Sequence, residues 1–200
     1  MSKMLKDAAI LFAITVIAGA VLGFVYDITK APIAEQDAKA KAAACKEVFA
    51  DAADFNLVSD DEAAMSEVAA AAGYNARINE VMEAVDASGN RLGYVLTVTS
   101  KEGFGGDIKF TVGVQNDGTV NGMSILSISE TAGLGMKAGD VLVPQFRDKK
   151  VPMFSYTKTG ATSDDQIDAI SGATITTNAV VNAMNAGLNY VQTQLGGGAQ

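Results

Sequence analysis

The pattern of apolar and polar positions begins with one long apolar run. Residues 8–26 read AAILFAITVIAGAVLGFVY, carry no charge and lie between Asp7 and Asp27. A helix needs about 20 apolar residues to cross the hydrocarbon core of a bilayer. The run therefore predicts one transmembrane helix. The cytoplasmic N-terminus and this helix form the first predicted part of the chain, residues 1–27. A cleaved signal peptide is the alternative, although the run is longer than the usual apolar core of a signal.

An alanine-rich stretch with charges of alternating sign follows the apolar run. Its spacing predicts a helix from Ile33 to about Ala53, with Pro32 near the first turn, where a missing N–H is tolerated. Residues 61–71 predict a second short helix. These two helices form a predicted helical connector over residues 28–75.

The pattern then changes to β-branched runs that are separated by turn sequences. DASGN at 86–90 and QNDGT at 115–119 are typical hairpin turns. They predict four strands, at about 78–85, 91–99, 107–114 and 119–128, in an antiparallel meander. The glycine-rich KEGFGGD at 101–107 links the two middle strands.

Apolar residues recur at helical spacing near the C-terminus, at Val180, Met184, Leu188, Val191 and Leu195. They predict a helix that begins near Asn178, with Thr176 and Thr177 as its caps. The last five residues, 196–200, read GGGAQ and predict a flexible tail. The predicted fold class is therefore α+β: one transmembrane helix, then an antiparallel sheet with flanking helices in a domain at residues 76–195.

The composition narrows the possible chemistry. The chain has no histidine and a single cysteine, Cys45, and its formal net charge is −8. A histidine-based triad, an imidazole metal site, an internal disulfide and an iron–sulfur cluster held by this chain alone are excluded. The acidic charge argues against nucleic-acid binding. We predict no catalytic residue and no metal site, and any redox chemistry requires a bound organic cofactor.

The charges around the apolar run predict its orientation. Lys3 and Lys6 precede the run and favour a cytoplasmic N-terminus, whereas Lys30 opposes them weakly. Residues 28–200 are then expected on the extracytoplasmic side of the cell membrane. The charges of residues 1–27 cancel, so this outer part carries the whole −8.

Two loops are candidates for ligand binding. In SETAGLGMKAG, at 129–139, Gly133 and Gly135 flank Leu134, so the backbone there is free to approach a flat ligand. In DAISGAT, at 168–174, Gly172 and Ala173 leave little bulk beside Thr174. Thr174 is expected just before a helix N-terminus, whose free N–H groups favour a phosphate. From the residues alone, a glycine turn and a hydroxyl-rich helix cap without any ligand remain the alternatives.

These motifs resemble those of the FMN-binding domain family. DAISGAT is similar to the family's flavinylation motif, and SETAGLG is similar to its Glu-Thr-Pro-Gly-Leu-Gly loop, with Ala132 where proline is common. Together with ITKAPIAEQ at 28–36 and PQF at 144–146, they resemble the G subunits of Rnf complexes, which are membrane-bound ferredoxin:NAD⁺ oxidoreductases that transport Na⁺ or H⁺. The resemblance covers almost the whole chain.

The resemblance implies a role for each motif. Thr174 is expected to carry FMN through a phosphoester bond, which a separate magnesium-dependent flavin transferase makes. Asp168, Ser171, Gly172 and Ala173 are expected to shape that motif. Contacts with FMN are expected from the upstream loop, at Glu130, Thr131, Gly133, Leu134, Gly135 and Lys137, with Lys137 as the cation near the ring. The implied partners are the other Rnf subunits, the flavin transferase and membrane lipid.

Several other functions fit parts of the sequence. One is that of the C subunit of the Na⁺-translocating NADH:quinone oxidoreductase, which usually has a longer soluble part. A stand-alone membrane-anchored FMN carrier is another, and a single-span structural or assembly protein is a third. An independent enzyme with Thr174 or Ser171 as nucleophile is disfavoured, because the chain has no histidine to act as base.

Overall fold

The computed structural model describes residues 2–197. The chain forms two compact units, Met1–Ala40 and Lys41–Gln200. Of the tail predicted at 196–200, only residues 196 and 197 fall within the described part of the chain, and residues 198–200 lie outside it.

A single long helix, α1, runs from Ser2 to Val48. It is long and apolar enough to cross a membrane, and its most apolar window has a mean hydropathy of 2.6 with no part buried within the protein. The prediction of a separate helix that starts after Pro32 is wrong, because Pro32 lies inside α1. Proline removes only one helical hydrogen bond, and the alanine-rich flanks are strong helix formers.

The predicted end of this helix near Ala53 is also wrong, since α1 ends at Val48. Phe49 still donates its N–H to the Cys45 carbonyl (3.0 Å), and its ring is buried with Cys45 and Val48. The chain then turns into strand β1, Asp54–Ser59, which the sequence analysis missed. Four of the six β1 residues are exposed, so the strand lacks a clear alternating pattern.

The central sheet has five antiparallel strands in the order β1-β2-β3-β4-β5. The strands after β1 are β2 (Ala76–Val85), β3 (Arg91–Ser100), β4 (Ile108–Gln115) and β5 (Val120–Ser127). The predicted four-strand meander is confirmed, with every strand end within two residues of its expected position. The α+β class with an N-terminal apolar helix is confirmed as well.

Helices cover both faces of the sheet. On one face lies α4, Thr174–Gln194, where Gly187 allows the helix close to Val98 and Val112. On the other face, the end of α1 packs against Met82, Ala84 and Val95. The predicted second short helix is confirmed as α2, Glu62–Ala71.

A stretch of short elements connects β5 to α4. It contains 3₁₀ turns at Gly135–Lys137 and Val143–Phe146 and the four-residue helix α3, Ala138–Val141. Two three-residue strands, β6 (Ser155–Thr157) and β7 (Gln166–Asp168), then pair in parallel. None of these elements was predicted, because each is too short for a periodic pattern.

The predicted start of the C-terminal helix is wrong, since α4 begins at Thr174 and not near Asn178. Thr176 and Thr177 are buried inside the first turns and do not cap the helix. The Thr177 hydroxyl accepts from the Ile170 N–H (3.1 Å) and donates to the Ala173 carbonyl (3.1 Å). Thr177 therefore holds the preceding loop onto the first turn of α4, and the helix starts earlier than its apolar pattern indicates.

Candidate functional site

A cleft of about 330 Å³ lies where three segments of the chain meet. They are the link 101–107, the loop 129–139, and the turn that leads into α4. Pockets of roughly 300–1,000 Å³ are typical of small-molecule sites. The residues that line the cleft are Phe104, Glu130, Thr131, Leu134, Gly135, Gly172, Ala173, Thr174, Ile175 and Thr176.

Two glycine turns contribute to this lining. The Leu134 N–H donates to the Thr131 carbonyl (3.1 Å), with Gly133 between them at φ +78°. The Ala173 N–H donates to the Ile170 carbonyl (2.9 Å), with Gly172 at φ +78°. A positive φ at the third position is the mark of a type II turn and favours glycine. At Gly133 and Gly172, the backbone of each turn is therefore not covered by a side chain of its own.

The two turns are in close contact. A Cβ atom added at Gly172 would lie 3.1 Å from Leu134 Cδ2. One added at Gly135 would lie 2.6 Å from the Thr176 hydroxyl oxygen and 2.7 Å from Glu130 Cβ. Glycine at position 135 therefore lets the loop 129–139 pack against the first turn of α4, and glycine at position 172 leaves room for the Leu134 side chain.

Glu130 joins all three segments. Its carboxylate accepts from the Thr176 hydroxyl on α4 (3.0 Å) and from the Gly105 N–H in the link (3.2 Å). The side chain is half-buried in the wall of the cleft. Because hydrogen bonds to a charged group are stronger than neutral ones, Glu130 is placed to fix the shape of the cleft.

Thr174 is the first residue of α4 and is half-buried. It lines the cleft and also a smaller adjoining cavity of about 190 Å³. Ala173, which precedes it, provides no side-chain cap for the helix. The first N–H groups of a helix have no partner within the helix, so this end attracts negative charge.

Four of the predicted site residues lie outside the lining of the cleft. Ser171 lines the smaller cavity, while Gly133 forms the turn behind Leu134. Lys137 is exposed at the end of a 3₁₀ turn. Asp168 is also exposed and accepts from the Ala161 N–H (2.6 Å). The structure thus brings Glu130, Thr131, Leu134, Gly135, Gly172, Ala173 and Thr174 together and leaves these four at the periphery.

A glutamine holds the DAISGAT segment in place. The Asp168 N–H donates to Gln145 Oε1 (2.7 Å), and Gln145 Nε2 donates to the Asp168 carbonyl (3.2 Å) and to the Val141 carbonyl (2.6 Å). Gln145 belongs to the PQF sequence, so this motif supports the DAISGAT segment.

Three residues in the lining were not predicted as site residues: Phe104, Ile175 and Thr176. Thr176 was predicted only as a helix cap. Phe104 is 69% exposed and Ile175 is 53% exposed. Added Cβ atoms at Gly103 and Gly105 would collide with the Gly106 and Ser129 carbonyls, so the link can hold Phe104 there only with glycine on both sides. An aromatic residue between two glycines was the available sequence signal.

Two family models match this chain. The FMN-binding domain matches residues 103–189, which contain the whole cleft, and the RnfG N-terminal region matches residues 1–48. The fold and the cleft therefore define the class: a protein with an N-terminal apolar helix and an FMN-binding domain. Two crystal structures of NqrC proteins are similar, from Shewanella oneidensis (26% identity, 58% of each chain, TM-score 0.48) and Parabacteroides distasonis (22% identity, 70% of this chain and 77% of that one, TM-score 0.49).

Curated relatives identify the family. The G subunit of the ion-translocating oxidoreductase complex of Methanosarcina acetivorans is 33% identical over 196 residues, covering 96% of each chain. The chain belongs to this family of G subunits. The G subunit of the Na⁺-translocating ferredoxin:NAD⁺ oxidoreductase complex of Acetobacterium woodii is 29% identical over 94% of this chain and 91% of its own length. The corresponding subunit of the proton-translocating complex of Clostridium ljungdahlii is 30% identical over 96% of this chain and 97% of its own.

Proposed function

We propose that this chain is the electron-transfer subunit of a membrane-bound Rnf-type ferredoxin:NAD⁺ oxidoreductase, and that it carries FMN covalently on Thr174. One observation carries the proposal. Thr174 lies at the start of α4 in the wall of a cleft that the SETAGLG loop, the DAISGAT segment and the link 101–107 build. The relatives' names, which include subunits of Na⁺- and H⁺-translocating complexes, support the assignment to such a complex.

The residues of the cleft fit the two ends of FMN. Phe104, Leu134 and Ile175 offer exposed apolar surface to a flat ring system. The uncapped start of α4 offers N–H groups to a phosphate. When bound, FMN supplies one-electron redox chemistry that no side chain of this protein provides.

The attachment needs no catalytic base from this chain. In the transferase reaction, Thr174 Oγ1 would form the bond to phosphorus while the diphosphate bond of a flavin-dinucleotide donor broke, and AMP would leave with the bonding electrons. The flavin transferase would take the hydroxyl proton. The Thr174 side chain has only to be reachable, and its half-exposed position at the mouth of two cavities meets that requirement.

The flavin domain is proposed to face the outside of the membrane, because Lys3 and Lys6 precede the apolar run. Ser88 lies at the exposed tip of the β2–β3 hairpin, and the native Cys45 is only 2% exposed. A Ser88→Cys variant should react with a membrane-impermeant thiol reagent in intact spheroplasts. Reaction only after lysis would place the domain in the cytoplasm.

Affinity purification of the tagged full-length chain from its native membrane tests the function. We expect ferredoxin- and NAD-interacting subunits to co-purify, and the band of this chain to fluoresce under ultraviolet light after denaturation. A fluorescent band without these subunits would instead support a stand-alone FMN carrier. A band without fluorescence would refute covalent flavin.

A further inference from the structure

A second cavity adjoins the proposed attachment site. It has a volume of about 190 Å³ and shares Gly172 and Thr174 with the larger cleft. Its other lining residues are Lys158, Ala169, Ile170 and Ser171. Lys158 is the only cation among the residues that line either cavity. The Thr174 hydroxyl therefore lies between an apolar cleft and a small cavity that carries one positive charge.

The parallel pairing of β6 and β7 places Lys158 there. Thr157, the last residue of β6, is in register with Asp168, the last residue of β7. The Ala169 N–H extends this pairing by donating to the Thr157 carbonyl (2.8 Å). Parallel strands end at the same edge, so Lys158 and the Ala169–Ser171 segment leave the pair side by side.

The charge of Lys158 is not neutralised within the described part of the protein. Lys101, Lys149 and Lys150 each form an ion pair with an aspartate, whereas Lys158 forms no ion pair or side-chain hydrogen bond among residues 2–197. The Asp168 carboxylate of the DAISGAT motif accepts from the Ala161 N–H (2.6 Å) instead. In a chain of net charge −8, an unpaired lysine beside the attachment threonine is available for an anionic ligand.

We infer that this small cavity holds the phosphate on Thr174, and that Lys158 supplies the counter-charge. The flavin ring then occupies the larger cleft, on the Phe104 and Leu134 side. This assignment rests on the proposed attachment of FMN to Thr174. It gives Lys158, which lies outside both sequence motifs, the positioning role at the phosphate.

The test compares three variants of the full-length chain in detergent with the wild type. Lys158→Gln removes the charge, Lys158→Arg retains it, and Lys150→Gln removes a charge that lines neither cavity. With flavin transferase, FAD and Mg²⁺ at low salt, Lys158→Gln should lower the initial rate of flavinylation roughly threefold to fivefold, the upper range for one partly exposed charge pair. Added salt should reduce this difference. The Lys158→Arg and Lys150→Gln variants should react like the wild type.

The ³¹P spectrum of the loaded proteins provides a readout that does not involve the transferase. Lys158→Gln should move the phosphodiester resonance, and Lys150→Gln should leave it in place. If the wild type carries flavin on Thr174 but Lys158→Gln leaves both the rate and the resonance unchanged, the role of Lys158 is refuted and the proposed function stands. An equal slowing by Lys150→Gln also refutes the role of Lys158. If the wild type carries no flavin on Thr174, the proposed function itself fails.

Discussion

Replacement of Gly172 by alanine tests whether the turn before α4 controls the attachment site. Gly172 has φ +78°, where an L-residue is strained by about 1–2 kcal/mol. The new Cβ atom would also lie 3.1 Å from Leu134 Cδ2, although the end of that side chain is free to move. We therefore expect the free energy of unfolding to fall by about 1–2 kcal/mol, a factor of 5–30 in the unfolding equilibrium. Urea denaturation of the full-length chain in detergent measures this change.

Gly89→Ala is the matched control for this substitution. Gly89 has φ +82° in the β2–β3 hairpin, and no atom lies within 4 Å of its added Cβ. It should lose a similar free energy of unfolding and keep wild-type flavin loading, whereas Gly172→Ala should load flavin more slowly because Leu134 and Thr174 are displaced. Equal loading of Gly172→Ala and the wild type would refute the claim that contact between the two turns shapes the site.

Two further substitutions test the support of the cleft. Ala132→Pro should raise the free energy of unfolding by about 0.4–1 kcal/mol, because Ala132 occupies the second position of a type II turn, where proline presets φ. Thermal unfolding measures this change, and a lower midpoint than that of the wild type would show that the turn has another geometry. Gln145→Ala should cost about 0.5–1.5 kcal/mol, because it removes the hydrogen bonds that Gln145 makes with the backbone of Asp168 and Val141. Gln192→Ala, which removes one exposed bond to Pro152, should stay within about 0.5 kcal/mol of the wild type, and equal losses would contradict the supporting role of Gln145.

The sequence predicted those parts of the fold that have a strong local pattern. The hairpin turns at 86–90 and 115–119 indicated where the strands of two antiparallel pairs end, because their turn residues are specific. The apolar run identified α1, and the two glycine motifs identified most of the cleft lining. Each of these signals lies within a few neighbouring residues.

The remaining features depend on contacts between residues that are distant in sequence. The β6–β7 pair joins two three-residue strands, and its register brings Lys158 to the attachment site, which no local pattern indicates. Phe104 reaches the cleft because Gly105 bonds to Glu130, 25 residues further along the chain. The start of α4 was misplaced because Thr176 and Thr177 lie within its first turns, where their hydroxyls bond to Glu130 and to the Ile170 N–H.

The central claim is that Thr174 carries FMN, and mass spectrometry of the intact chain after co-expression with a flavin transferase tests it most directly. The wild type should gain the mass of FMN minus one water, and peptide mapping should place that mass on Thr174. Thr174→Ala should gain none while it remains folded and inserted in the membrane, and Ser171→Ala, which removes a neighbouring exposed hydroxyl, should still be modified. An FMN adduct on Thr174→Ala, or an unmodified wild type in the presence of active transferase, would contradict the account.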